Sequence, residues 1–234
     1  MVVLKIKAVL FDLGGTLVNI WAPEITYQTL LSSFGIDRST EAIREAIELV
    51  EKEFAESNYG SKYGKVSYTQ YWDRWDANVL KHLGIRQSQI PAIEVLAKWW
   101  KYADCVAYPD AKGSLERLKQ IGVRVGLVSN AYEEDIDPIL SKAGLEKRLF
   151  DVVVGVNTIK KAKPQPDIFR YALAKLDAKP KETIFVGDHI DNDYRGARAV
   201  GIRALLVERK NMGTDDTSGI EKVRSLQEIF KFVE

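Results

Sequence analysis

The sequence predicts an α/β protein with a doubly wound parallel sheet and an inserted all-helical domain. From residue 108 onward, short apolar runs alternate with helical patterns, which is typical of β–α–β crossovers and hence of a parallel sheet. Residues 19–107 show helical periodicity with no convincing buried strand. We therefore expect a core domain of residues 1–18 and 108–234 and a helical domain of residues 19–107.

The first strand of the predicted sheet ends at an acidic residue. Val9, Leu10 and Phe11 form an apolar run of the kind found in strands that are buried on both faces. Asp12 follows at the carboxyl end, where open α/β sheets bind ligands. A buried carboxylate costs free energy unless it is paired or bound to a metal. Asp12 therefore indicates a functional site, and the alternative is that it caps a helix.

The inserted segment predicts a bundle of helices with apolar stripes. The helix capped by Thr40 repeats apolar residues at three- and four-residue spacing. In the helix over Ile90–Tyr102 we expect Ile93, Leu96, Ala97 and Trp100 on the apolar side. We interpret the tryptophans as core residues, and the alternative is that one or two line a ligand pocket. They are Trp21, Trp72, Trp75, Trp99 and Trp100.

The rest of the chain alternates between strands and helices. A polar loop is expected from Arg209 to Gly219, followed by a final helix that carries Val223, Leu226, Ile229 and Phe230. The strands expected before this loop are Val123–Val128, Asp151–Val156, Thr183–Val186 and Ala204–Val207.

Composition excludes several classes of function. The formal net charge of the 234 residues is +1 and no basic stripe is visible, which argues against a nucleic-acid-binding protein. No apolar run reaches the length of a membrane span. Cys105 is the only cysteine, so the chain has no internal disulfide. We expect a cytoplasmic protein without a membrane or nucleic-acid partner.

Polar residues follow three of the predicted strands. They are Asp12, the pair Ser129 and Asn130, and Asp188 with Asp193 nearby. If these strands are parallel neighbours, their ends meet at one edge and the carboxylates repel one another. Mg²⁺ suits such a set of oxygen ligands, and Lys163 supplies a second positive charge.

This ordered set resembles the four motifs of the haloacid dehalogenase superfamily, whose members are mostly Mg²⁺-dependent phosphatases. The resemblance covers residues 6–207, and the inserted helices resemble the family's helical cap of the first type (C1). The matching segments are Asp12-Leu13-Gly14-Gly15-Thr16, Val128-Ser129-Asn130, Lys163-Pro164, and Val186-Gly187-Asp188 with Asp193.

The resemblance implies a role for each residue of the set. Asp12 is the expected nucleophile, which forms an aspartyl-phosphate from a small phosphorylated metabolite, with Lys163 as a second catalytic residue. The expected Mg²⁺ ligands are Asp12, the Gly14 carbonyl, Asp188 and Asp193. The expected phosphate-binding groups are Gly15, Ser129, the Asn130 backbone amide and Lys163.

One position departs from the family's pattern. Phosphatases of the family usually carry a second aspartate, the general acid, where this chain has Gly14. General acid catalysis contributes typically ~10²- to 10⁴-fold, so we expect slow or substrate-restricted activity. A 2-haloacid dehalogenase and a non-catalytic protein that binds a phosphorylated ligand are the alternatives. We expect a monomer or a homodimer.

Overall fold

The computed structural model describes residues 5–20, 22–209 and 219–233. Trp21 and most of the expected polar loop after Arg209 lie outside the described residues. The chain divides into two compact units. The core unit comprises Met1–Asn19 and Val106–Glu234, and the helical unit comprises Ile20–Cys105.

The described residues contain eight strands and nine α-helices. The strands are β1 (Ala8–Phe11), β2 (Val18–Ile20), β3 (Cys105–Ala107), β4 (Arg124–Val128), β5 (Val152–Val154), β6 (Thr183–Gly187), β7 (Arg203–Val207) and β8 (Lys222–Val223). The helices are α1 (Pro23–Ser32), α2 (Thr40–Glu56), α3 (Tyr68–His82), α4 (Ala92–Tyr102), α5 (Ala111–Gln120), α6 (Glu133–Lys142), α7 (Pro166–Lys175), α8 (Gly196–Ala199) and α9 (Phe230–Val233). No helix among these residues is long and apolar enough to cross a membrane.

The core unit is built on a parallel sheet, as the sequence predicts. Its strand order over the described residues is β5–β4–β1–β6–β7–β8, and each neighbouring pair is parallel. All four residues of β1 are fully buried, because helices cover both faces of the sheet. In the register of the sheet Phe11 is paired with Leu127 on one side and with Val186 on the other. The residues that follow β1, β4 and β6 therefore emerge at the same edge.

The helical unit follows the predicted pattern in α2 but departs from it in α4. The buried residues of α2 are the predicted stripe, although Ser39, rather than Thr40, caps the helix by accepting a hydrogen bond from the Ala42 amide. In α4 the predicted apolar side is wrong at Ile93, which is 45% exposed, and at Ala97, which is also exposed, whereas Val95 is buried. The tryptophans of the described residues are half-buried rather than fully enclosed. The buried residues of α2 are Ile43, Ala46, Ile47, Val50 and Phe54.

The carboxyl-terminal segment also differs from its prediction. Val223 belongs to β8, which adds to the sheet beside β7, and the helix begins with a 3₁₀ turn at Leu226–Ile229. The apolar residues happen to have helical spacing, and a two-residue strand is too short to show a period of two. Strands β2 and β3, which pair with each other, have three residues each and are also too short for their sequence pattern to predict them.

A buried tyrosine–aspartate pair lies in the core of the helical unit. The Tyr27 hydroxyl of α1 donates a hydrogen bond to the Asp76 carboxyl of α3, and both residues are at most 3% exposed. Burial raises the pKa of Asp76 to about 8; the hydrogen bond from Tyr27 opposes the rise and the charge of Asp73 adds to it. We infer that Asp76 is protonated in the folded protein at neutral pH.

This pair predicts a pH-dependent stability. Asp76 releases its proton near pH 3.8 in the unfolded chain and near pH 8 in the folded chain. The stabilisation of the fold by protonated Asp76 is therefore complete at low pH and is lost as the pH rises from about 3.8 to about 8. Wild type is expected to lose up to about 1.4 kcal/mol per pH unit relative to Asp76→Asn across this window. Denaturant unfolding from pH 5 to pH 8.5 measures the difference, with Asp37→Asn, an exposed carboxylate, as the control. Parallel curves for wild type and Asp76→Asn would show that Asp76 is ionised in the folded state.

Candidate active site

Asp12 occupies the centre of the carboxyl edge of the sheet. Its backbone N–H donates to the Val186 carbonyl at 2.9 Å, so the parallel ladder continues one residue beyond β1 and fixes its position. The residue is 7% exposed. Burial raises the pKa of Asp12 to about 7, although the Lys163 ammonium opposes the rise, and Asp193 increases it. A carboxylate in this setting is energetically costly, which is typical of a functional position.

Lys163 lies between two buried carboxylates. Its Nζ donates to Asp12 Oδ1 and to Asp193 Oδ1, each at 2.6 Å, and its side chain is 2% exposed. Burial alone would lower the pKa of Lys163, but the two carboxylates hold it above its ordinary value. The ammonium therefore stays charged and holds Asp12 and Asp193 in fixed positions.

Three carboxylates converge at this edge. One oxygen each of Asp12, Asp188 and Asp193 lies within 4.8 Å of the others. Burial, together with the charge of Asp193, raises the pKa of Asp188. A single lysine cannot balance three negative charges, and carboxylate oxygens are the ligands that a hard divalent cation such as Mg²⁺ prefers. The donor set therefore fits Mg²⁺.

Asp193 is the most firmly held of the three carboxylates. Its Oδ2 accepts the His189 backbone N–H at 3.0 Å, while its Oδ1 accepts from Lys163. A π-helical turn, Ile190–Arg195, carries Asp193 into the site, and the His189 ring caps this turn by accepting the amides of Asp191 and Asn192. The Asp191 side chain is exposed and paired with Arg195.

Gly15 lets the backbone approach Asp188 closely. Its φ is +78°, and a Cβ at this position would lie 2.1 Å from Asp188 Oδ2. Gly187 likewise lets the backbone approach Asp193 closely, because a Cβ at this position would lie 2.4 Å from the Asp193 carboxyl carbon. Gly14 precedes this turn and forms an isolated parallel bridge with Val18. Two glycines thus make room for the carboxylates.

Ser129 and Asn130 follow β4 at the same edge. Ser129 is buried, and its Oγ accepts the Ala131 amide at 3.1 Å. The Asn130 side chain clamps the backbone of Lys163: Oδ1 accepts the Lys163 N–H at 2.7 Å, and Nδ2 donates to the Lys163 carbonyl at 3.1 Å. The Asn130 side chain therefore positions Lys163. The sequence did not predict this role, because Asn130 and Lys163 are 33 residues apart.

Thr16 is a further residue of the site to which the sequence analysis assigned no role. It is fully buried, and its Oγ1 donates to Asp188 Oδ1 at 3.4 Å. A hydroxyl four residues after the nucleophile candidate, within the same turn as two glycines, is a signal that could have identified it. His82, in contrast, pairs with Glu53 in the helical unit at 2.9 Å.

A parallel sheet with three carboxylates and a buried lysine at its carboxyl edge forms a site suited to a divalent cation and an anionic substrate. The family model for haloacid dehalogenase-like hydrolases matches residues 6–201. The chain belongs to this family.

Relatives of both catalytic types occur among similar proteins. The chain is 28% identical to the glyceraldehyde 3-phosphate phosphatase of Methanocaldococcus jannaschii, over 97% of both chains. It is 34% identical to (S)-2-haloacid dehalogenase 1 of Pseudomonas sp. (strain CBS-3), over 47% of this chain and 48% of the relative. The crystal structure of a phosphatase of the family from Thermococcus onnurineus is 26% identical and superposes with a TM-score of 0.64, covering 97% of this chain and 98% of that one. The family and its phosphatase members assign the chain to the phosphoric monoester hydrolases.

The close approach at Gly15 predicts a selective loss of activity in Gly15→Ala. A left-handed backbone costs an L-residue roughly 1–2 kcal/mol, and the added Cβ would also displace Asp188. We expect hydrolysis of p-nitrophenyl phosphate to fall at least about 10²-fold, the scale of a misplaced site residue.

Gly122→Ala is the matched control for this variant. Gly122 has a φ of +77° with nothing within 4 Å of a Cβ, so it isolates the cost of the backbone. We expect Gly122→Ala to lower the melting temperature but to keep its turnover per folded molecule. An equal loss of activity in both variants would refute the role of the contact with Asp188.

Proposed function

We propose that the chain is a Mg²⁺-dependent phosphatase that hydrolyses a small phosphorylated metabolite through an aspartyl-phosphate on Asp12. The observation that carries the proposal is the convergence of three carboxylates around a site where Lys163 contacts both Asp12 and Asp193. The phosphatase relative of matching length supports the same chemistry.

The nucleophile in this proposal is the Asp12 carboxylate. One of its oxygens attacks phosphorus, and the bond from phosphorus to the leaving oxygen breaks; water then releases phosphate and regenerates the carboxylate. Lys163 orients Asp12 and favours its ionised form, because its ammonium lies 2.6 Å from Asp12 Oδ1. Lys163, Ser129 and the amides at Gly15 and Asn130 are the proposed phosphoryl-binding groups.

The proposed metal ligands are Asp12, the Gly14 carbonyl and Asp188, with Asp193 binding directly or through a water. Bound Mg²⁺ would neutralise charge between the carboxylates and the transferring phosphoryl group. Asp193 already accepts donors on both oxygens, whereas Asp188 accepts Thr16 on Oδ1, which favours Asp188 as the tighter ligand. We further propose that residues 19–107 act as a substrate-selecting cap domain.

The primary test compares Asp12→Asn with Asp191→Asn. Asp12→Asn keeps the shape of the side chain but removes the nucleophile, so Mg²⁺-dependent hydrolysis of p-nitrophenyl phosphate should fall by roughly 10³-fold or more. Asp191→Asn removes an exposed carboxylate from the turn that carries Asp193 and should leave the rate within about twofold. EDTA should abolish activity, and Mg²⁺ should restore it.

Two results would overturn the proposal. Halide release from 2-chloropropionate without metal would support a dehalogenase, the second candidate, which the dehalogenase relative favours. Phosphate binding by wild type without turnover of any phosphate ester would indicate a non-catalytic protein.

Gly14 predicts a dependence on the leaving group. The p-nitrophenolate group of an aryl phosphate can leave without protonation, whereas the alkoxide of an alkyl phosphate needs a proton as it leaves. Wild type should therefore strongly prefer p-nitrophenyl phosphate over glycerol phosphate. Gly14→Asp supplies a carboxyl group at this position and should raise the rate for the alkyl ester by on the order of 10²-fold, the low end of general acid catalysis. The aryl ester should change little.

Gly14→Asn is the control for this gain. It has nearly the same size and no acidic proton, so it should not increase the alkyl rate. Equal gains for both esters, or a gain in Gly14→Asn, would contradict the missing-acid explanation.

A further inference from the structure

Arg209 joins three distant parts of the core unit. Its Nε and Nη2 donate to the Thr16 carbonyl at 3.1 and 2.7 Å, and its Nη1 donates to Asp110 Oδ2 at 2.9 Å. Asp110 Oδ2 also accepts Ser225 Oγ at 2.9 Å and the Leu226 amide at 2.8 Å. The turn after Asp12, the start of α5 and the carboxyl-terminal segment therefore meet at the pair of Arg209 and Asp110.

The pair of Arg209 and Asp110 is largely removed from solvent. Their side chains are 9% and 13% exposed, so the contact is screened far less than a surface ion pair. Arg209 also lies over the Tyr108 ring, 4.1 Å from its centroid. Burial would raise the pKa of Asp110, but the hydrogen bonds from Arg209, Leu226 and Ser225 lower it below its ordinary value. The carboxylate is therefore charged at neutral pH and holds the guanidinium in place.

The contact at Thr16 connects this pair to the active site. Thr16 is fully buried, its Oγ1 lies 3.4 Å from Asp188 Oδ1, and the preceding Gly15 packs directly against Asp188. Two donors on one carbonyl fix the orientation of the peptide group after Thr16, and with it the end of the turn that packs against Asp188. Loss of these donors would let the turn move away from the carboxylate.

We propose that Arg209 is a positioning residue, which fixes the Gly14–Thr16 turn against Asp188 and so holds the metal-binding carboxylates in register. This inference rests on the proposed Mg²⁺-dependent function. The competing structural role is that Arg209 only attaches the carboxyl-terminal segment to the sheet through Asp110.

The test uses Arg209→Gln and Arg209→Lys in the full chain. A lysine at this position can keep the positive charge beside Asp110. It cannot pair with Asp110 and also place two N–H donors on the Thr16 carbonyl, as the guanidinium does. The control is Arg203→Gln, because Arg203 also makes a two-donor ion pair, with Glu221, and lies over Phe232, yet these contacts do not involve the turn.

Three measurements distinguish positioning from attachment. They are the Mg²⁺ concentration for half-maximal hydrolysis of p-nitrophenyl phosphate, kcat at saturating Mg²⁺, and the rise in melting temperature of the metal-free protein on adding Mg²⁺. We expect Arg209→Gln to raise the half-saturating Mg²⁺ concentration at least about tenfold, the cost of one displaced outer partner, and to reduce the thermal shift. Arg209→Lys should fall between it and wild type, and Arg203→Gln should match wild type.

Each remaining result has a defined meaning. Folded Arg209 variants with wild-type Mg²⁺ dependence but lower metal-free melting temperatures overturn the inference and leave the proposed function intact. If Arg209→Gln does not fold, the Arg209→Lys values decide between the two roles. A wild type that neither binds Mg²⁺ nor hydrolyses phosphate esters removes the proposed function, and this inference with it.

Discussion

The active site depends on the contact of one buried ammonium with two buried carboxylates. Lys163 is 4% exposed and lies 2.6 Å from both Asp12 and Asp193. Removing either kind of partner would leave an uncompensated buried charge, which is among the most destabilising changes a core can suffer. The surrounding structure therefore has to fix the position of Lys163. The Asn130 side chain does so by hydrogen-bonding to both the backbone N–H and the backbone carbonyl of Lys163.

The charge of the site and the close packing of its backbone act together. Lys163 offsets one of the three negative charges, and the net negative charge that remains is what attracts a cation or a phosphate-bound metal. Close approach at Gly15 and Gly187 packs the turns against Asp188 and Asp193. The folded protein thus stores carboxylate repulsion at this edge, and the sheet, with β1 fully buried, supplies the stability that holds the carboxylates together.

Sequence reasoning predicted the parts of the structure that follow local rules. The parallel sheet could be predicted because the apolar runs are continuous, and acidic residues at the ends of β1 and β6 stand out against them. Partners distant in the sequence could not be predicted: the pair of Asn130 and Lys163 and the pair of Thr16 and Arg209 show no periodicity or motif. In α4, Ile93 and Val95 are both apolar, and only tertiary packing decides which is buried.

Gly14 raises the question of which of two reactions the site performs, because the relatives include both a phosphatase and a haloacid dehalogenase. A carboxylate nucleophile beside a lysine can attack either phosphorus or carbon, and neither attack itself requires a second aspartate. What separates the two is the electrostatic environment of the leaving group. The convergence of Asp12, Asp188 and Asp193 suits an oxyanion substrate that brings or binds a cation, whereas a departing halide would have to form beside uncompensated carboxylates. The acidic edge of the sheet therefore favours the proposed phosphoryl transfer, and we expect Gly14 to restrict it to esters whose alcohols leave without protonation.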